Sequence, residues 1–173
     1  MVTEKIDIQY KTSAFFNERP EGTLIDLLVI HSISLPEGEY ETGYIEQLFQ
    51  GTLDSTVHPS FESLKGLKVS AHLFIDRKGQ VTQFVPFDKR AWHAGISSFE
   101  GRENCNDYSI GIELEGTDQT AFTEVQYQRL NQLIRQIQEQ YPGITSDRIV
   151  GHSDIAPGRK LDPGVGFDWG KIK

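Results

Sequence analysis

The run "TLIDLLVIH" constrains this chain more than any other stretch. Residues 24–30 are almost all apolar, many of them branched, and the run ends on His31. It is too short for a typical helix, and a strand apolar on both faces must be covered on both faces. The same plan returns in "RIVGH", where Ile149 and Val150 lead through Gly151 to His152. Two buried strands that each lead into a histidine predict one sheet with helical cover.

The cover is legible at residues 123–141. Thr123 and Gln126 fit a capping box, Phe122 and Tyr127 its hydrophobic staple, and Pro142-Gly143 a stop. Between them Tyr127, Leu130, Leu133, Ile134, Ile137 and Tyr141 recur on one broad face, while Arg135 and Glu139 fall on the solvent side. Further strands come from alternation. Val69, Ala71, Leu73 and Ile75 share a face, and Lys78-Gly79 turns the chain into a partner over residues 81–85. In "SIGIELEG", Ile110, Ile112 and Leu114 point one way and Gly111, Glu113 and Glu115 the other.

Residues 36–66 are irregular, broken by Gly, Pro, Ser and Glu. A brief helix at 44–49 would cover the core with Tyr44, Ile45, Leu48 and Phe49, and the surrounding loops would rim a substrate groove. The order of strand, excursion, hairpin, strand, helix and strand predicts an α/β fold: a single mixed β-sheet covered by helices, in one domain over residues 1–173.

Composition narrows the partners. With 17 basic and 25 acidic residues the formal charge is -8, and the basic residues are scattered, so a nucleic acid is not the expected partner. No stretch reads as an export signal or a membrane span, and there is a single cysteine, Cys105. These features favour a soluble cytoplasmic protein and are compatible with a monomer.

The five histidines divide by setting. His31 and His152 follow buried-strand patterns, and Asp162 lies on the loop after His152. Two imidazoles and one carboxylate would leave one zinc position open to solvent, as hydrolysis requires. No HExxH helix or paired cysteine motif adds to this locally. His72 reads as a hydrogen-bonded structural group, His58 as a loop residue, and Cys105 as structural because nothing beside it supplies a base.

The succession "VIHSIS", "VSAHLFIDRKGQVTQFVPFDKRAWHAG", "CNDYSIGIELEGTD" and "VGHSDIAPGRKLDPG" resembles zinc-dependent N-acetylmuramoyl-L-alanine amidases over nearly the whole chain. Within them it looks most like the AmpD-like cytosolic branch that acts on 1,6-anhydromuramoyl peptides. The wider superfamily includes phage amidases and peptidoglycan recognition proteins. The resemblance implies that His31, His152 and Asp162 hold one Zn2+, with Glu113 and Lys160 as catalytic residues.

It further implies hydrolysis of the amide between the lactyl group of muramic acid and L-alanine, in peptidoglycan recycling. Glu113 would manage the proton of the attacking water and Lys160 the charge on the tetrahedral oxygen, with the division of proton transfers open. Strand parity leaves Glu115 as an alternative base, or as a group holding a loop through backbone hydrogen bonds. Trp92 and His93 are expected to contact substrate, as are Arg102 and Asn104, with Lys68 standing where the family commonly has a carboxylate-binding arginine. Two other functions fit the pattern: a broad amidase acting on intact wall, and a muropeptide-binding module without turnover.

Overall fold

The computed structural model describes residues 6–172, in which strands β1 (Ile8–Tyr10), β2 (Phe16–Glu18) and β3 (Leu27–Ile33) precede helix α1 (Tyr44–Gln50). The chain then forms β4 (Leu73–Ile75), β5 (Val81–Gln83), β6 (Lys89–Ala91), β7 (Ser98–Phe99), β8 (Arg102–Glu103) and β9 (Ser109–Glu115). Helix α2 (Glu124–Gln140), strand β10 (Ile149–Gly151) and the one-turn α3 (His152–Ile155) follow. Six strands pair in the order β1-β5-β4-β9-β3-β10; β4 and β5 are antiparallel and every other junction is parallel. The result is the mixed sheet anticipated from the sequence.

The two faces of β3 and β9 explain their composition. Leu28 and Ile30 pair with Ile110 and Ile112, and this face packs on Leu130, Leu133, Ile134 and Ile137 of α2. Leu27 and Val29 face the other way, onto Cys105, Tyr108 and Ile155. Each such side chain contributes about 1.5–3 kcal/mol by leaving water, which makes the seven-residue β3–β9 ladder a rigid base for the groups it carries. Helix α2 is fixed at its start by the capping box: Thr123 Oγ1 accepts from Gln126 N–H, and Gln126 Oε1 accepts from Thr123 N–H. Gln126 is itself buried and donates from Nε2 to Glu115 O at 2.9 Å, tying the helix to the end of β9.

Three boundaries differ from expectation. Strand β3 starts at Leu27, Leu24 is exposed, and His31 lies within the strand rather than beyond its end. The cause is Asp26: its N–H donates to Tyr108 O and its carboxylate takes Arg102 and Arg148, so the chain joins the sheet only after it. The hairpin strands are three residues long, and both faces are covered, with Phe74 packed in the cluster under α1. Short strands β1, β2 and β6 to β8 had no sequence signature, because two or three residues give a period nothing to repeat. The excursion over residues 36–66 keeps its expected helix, which buries Ile45, Leu48 and Phe49.

Candidate metal centre

Parallel pairing brings the site together. His31 on β3 stands in register with Glu113 on β9, and β10 runs along the opposite edge of β3 with Gly151 beside Ile30, so His152 emerges next to His31. These are the carboxyl ends of parallel strands, where open α/β sheets gather their ligands. The following loop returns Asp162, whose backbone oxygen accepts from Ser153 N–H at 3.0 Å.

Three donor atoms converge there. His31 Nδ1 is 3.0 Å from His152 Nδ1 and 3.0 Å from Asp162 Oδ2, and His152 Nδ1 is 3.2 Å from the same carboxylate oxygen. Ligands about 2.0–2.1 Å from a tetrahedral zinc ion stand roughly 3.3 Å apart, so the spacing fits one Zn2+. The donor chemistry fits as well. His152 Nε2 lies 2.9 Å from Ala94 O, which can only accept, so that nitrogen carries the proton and Nδ1 presents a lone pair. Both histidines are buried, and burial holds His31 below the usual imidazole range against the opposing pull of Asp162. Asp162 Oδ2 faces both Nδ1 atoms and supplies the one negative charge of the donor set.

Glu113 is buried beside this set, with Oε2 lacking any protein hydrogen-bond partner. Burial first, and then the charge of Asp162, push its carboxyl well above the usual range, with Lys160 opposing. Lys160 reaches the same cluster from the exposed loop and lines a cavity of about 410 Å³ with Ser32, Ser34, Asp118 and Asp162. Hydrogen bonding distinguishes the two glutamates that strand parity left alike. Glu115 spends Oε1 on Glu41 N–H at 2.7 Å and Oε2 on Arg77 N–H at 3.1 Å, holding two loops, while Glu113 keeps a free oxygen.

The expected substrate contacts separate. His93 is placed behind the metal residues: Nδ1 is 2.9 Å from His31 Nε2, Nε2 is 3.1 Å from Ser109 Oγ, and the residue is buried. Both of its nitrogens are therefore engaged within the protein. Gly111 makes room for it, since a Cβ there would stand 2.6 Å from the His93 ring. Arg102 lies apart from this group. It pairs with Asp26 at 2.7 Å and lies 3.7 Å over the Tyr108 ring, at the start of β3 and about 16 Å along the strand from His31.

Trp92 stacks on Phe15 and donates from Nε1 to Asn17 Oδ1 at 3.0 Å. Phe15 in turn lines a cavity of about 220 Å³ with Lys68 and Leu48. Asn104 lines another, of about 380 Å³, with Ile96 and Arg159. His72 takes its structural role, accepting Gly111 N–H at Nδ1 and meeting Lys89 O at Nε2. Cys105 is buried against Tyr108 Oη.

Sequence reasoning missed Asn106, Ser109 and Arg159. Asn106 Oδ1 accepts from both His93 N–H and Ala94 N–H, and Arg159 donates to Ala94 O and Ile96 O. Each acts on backbone or on another polar group far along the chain, and no residue pattern announces such a partner.

Comparison with known proteins agrees with this geometry. The N-acetylmuramoyl-L-alanine amidase family model matches residues 21–165. The 1,6-anhydro-N-acetylmuramyl-L-alanine amidase AmpD of Haemophilus influenzae is 52% identical over 163 residues, covering 94% of this chain and 89% of the relative. Its counterpart in Escherichia coli is 52% identical over 161 residues, covering 93% and 87%. A crystal structure of a selenomethionine AmpD derivative superposes with a TM-score of 0.94 at 48% identity, covering 98% of this chain and 94% of that one. Pseudomonas aeruginosa AmpDh3 in complex with anhydromuramic pentapeptide gives 0.65 at 30% identity, covering 99% and 65%. By the extent of the family match and by its relatives, the chain belongs to the N-acetylmuramoyl-L-alanine amidases.

Proposed function

We propose that this protein hydrolyses the amide between the lactyl group of 1,6-anhydro-N-acetylmuramic acid and the L-alanine of a stem peptide. The observation that carries the reading is the convergence of His31 Nδ1, His152 Nδ1 and Asp162 Oδ2 beside the free carboxyl oxygen of Glu113. Similarity to enzymes named for the anhydro sugar supports that substrate over the general wall polymer.

When bound by the two histidines and the aspartate, zinc polarises an acyl oxygen and makes water a stronger acid. Glu113 takes the proton of the attacking water on its unpartnered oxygen and returns it to the alanine nitrogen as the amide breaks. A carboxyl already raised by burial suits both halves of that exchange. Lys160 places its ammonium where negative charge develops on the tetrahedral oxygen. His93 holds the His31 ring; Lys68 and Asn104 are the candidates for contacting the sugar and peptide along the grooves they line, with Trp92 stacked on Phe15 behind the first of these.

We read the whole chain as one catalytic domain, its three metal residues His31, His152 and Asp162 brought together within the one fold. Likeness to AmpD relatives supports a cytoplasmic place in peptidoglycan recycling, and no helix among the described residues is long and apolar enough to cross a membrane. The test is zinc-loaded protein given anhydromuramoyl-L-alanyl peptide, its reducing-sugar counterpart and intact wall. Release of free peptide fastest from the first is expected. Binding without release would reject the enzyme, and preference for polymer would reject the recycling role.

A further inference from the structure

The two histidines of the metal centre are backed by adjacent residues. His31 Nε2 lies 2.9 Å from His93 Nδ1, and His152 Nε2 lies 2.9 Å from Ala94 O. Whatever fixes the segment from His93 to Ala94 therefore fixes both rings. Asn106 holds both of its N–H groups: Oδ1 accepts His93 N–H at 3.0 Å and Ala94 N–H at 2.8 Å, while Arg159 meets Ala94 O.

Asn106 is buried and is itself clamped. Arg19 donates to Asn106 O at 3.1 Å and to Ser109 O at 2.8 Å, and Ser109 Oγ meets the far nitrogen of His93 at 3.1 Å. The chain of contacts runs from Arg19 through Asn106 to His93 and Ala94, and from them to the two ligands.

We infer that Asn106 is a positioning residue for the metal centre, setting His31 and His152 together in the form that carries hydrogen on Nε2 and turns both Nδ1 lone pairs inward. Neither ring could turn its lone pair away without losing its partner on the 93–94 segment. In that form His31 Nε2–H donates to His93 Nδ1 and His93 Nε2–H to Ser109 Oγ, so every hydrogen in the relay has an acceptor. The inference rests on the reading of His31, His152 and Asp162 as the ligands, which zinc content of the unsubstituted protein tests separately.

The experiment compares Asn106→Leu, which keeps the volume and removes the acceptor, with Asn106→Asp, which keeps an acceptor for both N–H groups. Zinc affinity is measured by chelator competition. Loss of a supporting contact of this kind lowers metal affinity about 10–100-fold, so Asn106→Leu should fall in that range and Asn106→Asp should bind at least as tightly as the unsubstituted protein. Equal affinity of folded Asn106→Leu and the unsubstituted protein would overturn the inference, as would equal losses in both variants. If Asn106→Leu does not fold, long-range proton–nitrogen NMR on the unsubstituted metal-free protein decides. His31 and His152 should both carry hydrogen on Nε2, and either ring found protonated only on Nδ1 removes the basis of the inference.

Discussion

Glu113 lies directly across the β3–β9 ladder from His31, so the free carboxyl and one metal-binding imidazole share a rung of the same sheet. The carboxyl is raised by burial and by Asp162. Below the ordinary glutamate range the folded and unfolded chains are both protonated at this position, and it costs nothing. As pH rises from there toward the folded value, the unfolded chain releases its proton first, and stability falls.

Glu113→Gln removes that fall. The metal-free variant should melt above the unsubstituted protein near neutral pH, a gain of ~1 kcal/mol appearing as about 2–4 °C for a chain of this size. Its kcat should drop about 10²–10⁴-fold with loss of the proton carrier. Thermal melts across pH together with kcat check both halves, and a variant that melts lower at neutral pH would contradict the burial argument.

Asp162 supplies the negative charge of the ligand set, and His31 one of its two nitrogens. Zinc at about 100 times its Kd should stabilise the native protein by about 2.7 kcal/mol. A chelator should abolish both that gain and turnover. Asp162→Asn and His31→Ala should melt at the same temperature with and without zinc, as read by scanning calorimetry. A persistent zinc-dependent rise in either variant would reject that residue as a ligand.

The elements that could be foreseen are those whose sequence repeats something. Helix α2 showed its cap, its face and its stop because seventeen residues at helical period leave little choice. Strand β9 showed its two faces, and the match of motifs to an amidase family carried His31, His152 and Asp162 correctly to one point. Parity along a strand says which side a residue faces but not what it bonds, so Glu113 and Glu115 were separable only once Glu41 and Arg77 were seen to take both oxygens of Glu115. The protein partners of His93 and Arg102 were illegible for the same physical reason. Their partners, His31 and Asp26, lie more than sixty residues away in the chain, and a polar side chain in a motif looks alike whether it meets substrate or another side chain.

Lys160 differs from the ligands in being exposed and in lining the open cavity beside Asp162. If it stabilises the developing oxyanion, Lys160→Met should cut kcat by about 10²–10³-fold with zinc affinity unchanged. Lys160→Arg should retain part of the rate, since the charge stays while its shape changes. Steady-state kinetics separate this role from simple attraction of substrate carboxylates, which would raise KM and leave kcat intact.

His72 offers a test of the scaffold apart from the chemistry. It is buried, and burial, followed by the nearby charge of Arg19, lowers its pKa to about 3. A histidine lowered in the fold contributes stability that is present above its unfolded value and lost as pH falls toward the folded one. Through that window the unfolded chain holds a proton that folded His72 does not, which weakens the fold by about 1.4 kcal/mol per pH unit. His72→Gln should be less stable at neutral pH by ~1–3 kcal/mol, because Gly111 N–H and Lys89 O lose well-placed partners. Between about pH 6 and about pH 4, however, its stability should decline less steeply, by that same ~1.4 kcal/mol per unit. Urea unfolding at several pH values reads both the offset and the slope. Parallel declines in the two proteins would show that His72 takes up its proton in the folded state, contrary to the burial seen at the centre of the sheet.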